Sequence, residues 1–113
     1  MKTIAAITAI TFPLIMMGVA NGQNMAEIGR TVAQQCAYAD GASEVCLSKK
    51  EASVIRFRCT EFERVFRFIT LAEYGEMVAL ARESIRVNGG DCSGVKEHAE
   101  KVSLFAMSKV MGY

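Results

Sequence analysis

Apolar side chains return at three- and four-residue steps through most of the chain, with polar positions filling the other side of each turn. From Asn24 to about Tyr38, Met25, Ile28, Val32 and Cys36 make one apolar helical face. Ala39-Asp40-Gly41-Ala42 then reads as a turn. Ser48-Lys49-Lys50-Glu51 fits a capping box, in which the serine oxygen takes an orphan amide and the glutamate reaches back, so a helix is expected to start there. Its core face is Ile55, Cys59, Phe62, Phe66 and Ile69, widened by Val54, Val65 and Phe68. Arg56, Thr60, Glu63, Arg64 and Arg67 fall on the opposite side, where Glu63 and Arg67 form a favourable i,i+4 pair. The alternation from Ile55 to Cys59 also suits a short strand. The helical register persists beyond Cys59 and the alternation does not, so helix is the reading.

A second capping box stands at Thr70-Leu71-Ala72-Glu73, with Ile69 and Tyr74 placed as a hydrophobic staple, so either a new helix starts or a long one bends. Tyr74, Met77, Val78, Ala81 and Ile85 continue an apolar face until Asn88-Gly89-Gly90 offers a left-handed residue to end it. Ser93 is placed to cap a last helix with apolar Val95, Ala99, Val102, Phe105 or Ala106, and Val110. The pattern predicts an all-α domain, a small bundle of three or four short-looped helices.

Ahead of these elements the pattern loses its period. Met1 and Lys2 precede an uncharged, mostly apolar run from Thr3 to Val19, and Ala20-Asn21-Gly22 sets small residues before Gln23, the layout of a cleavable export signal. Residues 1–22 are therefore expected to be a signal peptide and residues 23–113 a single helical domain. An uncleaved anchor is the rival, but spanning a bilayer takes about 20 apolar residues, and this run is shorter and broken by threonines and Pro13.

Four cysteines, Cys36, Cys46, Cys59 and Cys92, then change the picture. An even number in a small exported chain reads as two disulfides that stabilise a modest core. Zinc sites favour close cysteine pairs or histidines, and here no pair is close and His98 is the single histidine. Four cysteines allow three pairings. The preferred one joins Cys36 to Cys46 across the first turn and Cys59 to Cys92. An oxidising destination, periplasmic or extracellular, is implied.

Charge and chemistry narrow the function by exclusion. Without Lys2, basic and acidic residues balance, which gives little for phosphate neutralisation and argues against nucleic acid. His98 has Gly94, Val95, Lys101 and Val102 as helical neighbours, with no carboxylate or second ligand among them. Glu73 with Glu76, or Glu76 with Glu83, could face a common cleft, but solvated helices produce such pairs routinely. Gly89-Gly90 lacks the strand and lysine of a phosphate loop. No enzyme, cofactor or metal site is expected.

What remains is surface. Arg56, Arg64 and Arg67 form a basic stripe, and Phe57 beside Arg58 has the composition of a binding hot spot. Met77, Met107 and Met111 serve as core filling or as the edge of an adaptable groove. The expectation is an exported, non-catalytic protein-binding module acting on another envelope or extracellular protein, as inhibitors, immunity proteins, lysis regulators and secreted effectors do. Membrane contact is expected only through an uncleaved N-terminal segment. The alternative is a periplasmic structural or chaperone-like protein that self-associates or shields clients, with Phe57, Phe68 and the methionines offering a homodimer contact.

Overall fold

A computed structural model of the protein describes residues 25–112, so the expected signal segment lies outside the described residues. Four helices follow one another: α1 (Met25–Cys46), α2 (Lys49–Phe66), α3 (Leu71–Val87) and α4 (Val95–Met111). The expected all-α bundle is observed. Helices α1 and α3 run one way, α2 and α4 the other. Helix α1 is the hub: it packs against all three others, α2 also packs on α4, and α3 packs chiefly on α1. No described helix is long and apolar enough to cross a membrane.

Both capping boxes form as their spacing requires. Ser48 Oγ accepts from Glu51 N at 3.1 Å and Glu51 Oε1 accepts from Ser48 N at 3.2 Å. Thr70 Oγ1 and Glu73 repeat the exchange at 3.0 and 3.1 Å. Helix α3 is thus a new helix, and Arg67 at the end of α2 makes the break by taking a left-handed conformation with φ 52°. Gly89 and Gly90 also have positive φ, as expected beyond α3. The last cap differs from expectation: Gly94, left-handed and without a side chain, precedes α4, while Ser93 donates its amide to Asp91 Oδ1 in the preceding loop.

The expected turn at Ala39–Ala42 is not there; α1 continues through it to Cys46. Two tertiary demands explain residues that usually mark turns. A Cβ on Gly41 would press into the backbone of Val78, with its Cα and carbonyl carbon only 2.9 Å away, so α1 and α3 touch backbone to backbone there. Asp40 is 1% exposed and turns inward to polar partners on α2 and α3.

The same continuity overturns the preferred cysteine pairing. Ten residues of helix separate Cys36 from Cys46 by about 15 Å along the axis, beyond the span of about 7 Å that a disulfide allows between Cα atoms. The bonds are instead Cys36–Cys59 and Cys46–Cys92. The first is buried between α1 and α2; the second ties the end of α1 to the α3–α4 loop. Two such crosslinks suit an oxidising, exported environment.

The main core gathers Ile28, Val32, Cys36, Ile55, Cys59, Phe62, Ile69, Ala99, Val102 and Ala106. Phe62, Phe66 and Phe68 pack on one another at centroid distances of 4.9 to 5.9 Å. A smaller cluster of Ala42, Ala81 and Ile85 joins α1 to α3 near the Cys46–Cys92 end.

Candidate functional site

Helix α2 carries the residues expected to meet a partner, and the structure distributes them over three sides. Arg56 faces the hub. Its Nε donates to Asp40 Oδ1 at 3.1 Å and its guanidinium pairs with Glu44. Tyr74 Oη donates to Asp40 Oδ2 at 2.6 Å, and Arg82 donates to Glu44 at 3.0 Å. Asp40, Glu44, Arg56, Tyr74 and Arg82 therefore form one network linking α1, α2 and α3. Burial, then the Asp40 carboxylate, push the Tyr74 phenol well above its usual range. One cation, Arg56, and a phenol satisfy the buried Asp40 carboxylate, so the network reads as a structural tie.

Arg58 turns the other way, donating to Glu100 and Ser103 of α4 at 3.1 Å each. Together with Lys96–Glu51 at 2.9 Å it fastens α2 to α4. Neither Arg56 nor Arg58 shares a surface with Phe57. Phe57 is 57% exposed on the outer side of α2, opposite the buried Ile55, Cys59 and Phe62. Val54 and Val65, expected to widen the core face, are exposed too. Steps of three, four and four residues place Val54, Phe57, Glu61 and Val65 on one face, so α2 has a second, outward apolar stripe. Arg64 borders it and donates to Glu61 at 2.8 Å.

Arg67 belongs to a different feature. The second half of α2 and the start of α3 diverge, leaving a groove of about 470 Å³ between Thr60, Glu63, Arg64 and Arg67 on one side and Ile69, Leu71 and Tyr74 on the other. Glu63, expected on the solvent side in an ion pair with Arg67, is buried and accepts the Ile69 amide at 3.4 Å. Arg67 has left the helix for its left-handed cap position, so the i,i+4 geometry is gone. Burial raises the Glu63 carboxyl above its ordinary value, with the Ile69 amide opposing and Glu73 adding to the rise.

The other candidates for chemistry are dispersed. His98 is half-buried, and burial, then Lys101, lower its imidazole below the ordinary value. Glu73 is engaged by Thr70 and Arg30, Glu83 pairs with Arg86, and neither lines the groove. No cluster of three metal-ligating side chains occurs among the described residues. Met77 and Met107 are half-buried and Met111 is exposed. Asp40, the centre of the polar network, was hidden in the sequence by the Gly41 beside it. The signal that could have found it is its place four residues after Cys36 on the inward face. No family model, no curated protein and no solved structure matches this chain.

Proposed function

We propose that this is an exported, non-catalytic binding module that docks on another protein through the outer face of α2. The observation that carries the reading is Phe57, more than half exposed between Val54 and Val65 on a helix whose core face is already filled. An exposed aromatic flanked by valines and bordered by an arginine, with one ion pair on the same face, has the composition of an interface centre. The frame behind it is stiff: Cys36–Cys59 and the Asp40–Arg56 bond fix α2 to α1, and Arg58 fixes it to α4. A preorganised face loses little entropy on docking.

The test places a photo-crosslinking phenylalanine analogue at position 57 and, as control, at the exposed Glu76 on α3. The expected result is a discrete adduct from position 57 alone, lost when Val54→Glu and Val65→Glu are added. Equal labelling from both positions would remove the basis for the docking face.

A further inference from the structure

The course of the helices brings the start of α1, the α2–α3 connection and the close of α4 to one end of the bundle, away from the Cys46–Cys92 bond. The three most exposed large apolar side chains among the described residues all lie there: Leu71 at 86%, Met111 at 75% and Met25 at 73%. At the disulfide-bound end the corresponding side chains, Val45 and Val87, are 47% and 44% exposed. The contrast is directional.

Cations stand among these tips. Arg67 occupies the α2–α3 connection, and Lys109 holds its ammonium 5.1 Å from the Phe105 ring centroid in the last turns of α4. Arg64 lies one turn back. Most acids at this end are engaged or hidden: Glu73 with Arg30, Glu61 with Arg64, Glu63 buried. Glu27 also stands there. Apolar tips set among basic side chains are the composition of a surface that seats in the headgroup layer of an anionic bilayer.

We propose that the bundle rests this end on an anionic lipid surface, with Leu71, Met25 and Met111 entering the headgroup region and Arg67 and Lys109 meeting phosphates. The inference is independent of the α2 docking face. Phe57 lies midway along α2, so a bundle seated on its end keeps that face clear of the bilayer.

The chain has no tryptophan, so single tryptophans report position cleanly. The full chain carrying Leu71→Trp, Met111→Trp or, at the opposite end, Val87→Trp is mixed with vesicles of brominated phosphatidylcholine, with and without phosphatidylglycerol. The expected result is quenching at positions 71 and 111, none at 87, and binding that requires phosphatidylglycerol. Each basic side chain near an anionic surface is worth about five-fold in partitioning, so Arg67→Glu with Lys109→Glu should weaken binding by roughly 25-fold or more. Quenching at 87 equal to that at 71 would overturn the proposal, as would equal binding to phosphatidylcholine alone or failure to bind. Vesicle-bound chain with positions 71 and 111 unquenched would also overturn it and assign the binding to residues 1–24.

Discussion

Replacing Gly41 with alanine tests the backbone-to-backbone contact of α1 with α3. In an ordinary helix interior this change is favourable by about 1 kcal/mol, because alanine loses less backbone freedom than glycine. Here the new methyl would sit 2.9 Å from the Cα and carbonyl carbon of Val78, whereas ordinary contact begins at 3.4 Å. The Val78 carbonyl oxygen would lie nearer still, so the backbones of α1 and α3 must part by more than half an ångström at the seam that holds Ala42, Ala81 and Ile85. Overpacking typically costs 1–3 kcal/mol, and a clash with backbone, which no rotamer change relieves, belongs at about 3. Subtracting the propensity gain leaves a net loss of about 2 kcal/mol. At about 4–8 °C per kcal/mol for a domain of this size, the midpoint should fall by roughly 8 to 16 °C. Gly75, in the first turns of α3, has open space where its Cβ would be, so Gly75→Ala should gain up to about 1 kcal/mol. Urea unfolding followed by far-UV circular dichroism, with disulfides intact, measures both. A Gly41→Ala protein as stable as Gly75→Ala would refute the backbone contact and reopen the case for a turn at Asp40-Gly41.

Asp40→Ala leaves the part-buried Tyr74 hydroxyl without its acceptor and takes one of two partners from Arg56, which keeps Glu44, and should cost about 1–3 kcal/mol. Tyr74→Phe, which removes one bond, should cost about 1–2 kcal/mol in the same urea assay. Graded reductant should open Cys46–Cys92 before Cys36–Cys59: the latter is 0% exposed at both sulfur-bearing residues while Cys92 is exposed. Doubling the sequence separation from 23 to 46 adds only about 0.6 kcal/mol of loop entropy, and mass spectrometry of alkylated intermediates would expose the reverse order. In acid, stability should fall as pH drops below about 4.5, because Lys96 and Ser48 hold Glu51 down to about 2 and Glu61, Glu73, Glu83 and Asp91 are lowered as well. Glu63 works in the opposite sense: its raised carboxyl binds a proton more readily folded than unfolded, so it favours the fold as pH falls toward 4.5. Glu63→Gln should therefore be more stable than the parent at neutral pH and lose that advantage in acid; a less stable variant at neutral pH contradicts the reading.

Local chemistry was legible wherever a feature depends on neighbours in sequence. Ser48 and Glu51, or Thr70 and Glu73, are three residues apart and satisfy each other whatever packs above them. Gly41 and Asp40 fail as turn markers because their roles are set by α3 and α2, tens of residues away. The same misreading carried over to the cysteines: a turn brings Cys36 and Cys46 together, and a continuous helix drives them apart. Along α2 the repeat located the inward face, yet Val54, Val65 and Glu63 lie where helical spacing alone does not separate core edge from surface. Phe57 was legible as a composition, but its separation from Arg56 and Arg58 required knowing that α1 and α4 flank α2 on either side.

The two disulfides interleave along the chain, since Cys46 lies inside the loop closed by Cys36 and Cys59 while Cys92 lies beyond it. A polypeptide that emerges N-terminus first into an oxidising compartment presents Cys36 and Cys46 as its earliest and nearest thiols. That short loop closes readily while the chain is still unstructured, and the finished α1 forbids it. Where it forms, attack of the Cys59 thiolate on Cys36 gives Cys36–Cys59 and frees the Cys46 thiolate, which a second oxidation joins to Cys92, so a disulfide isomerase should speed the accumulation of native protein.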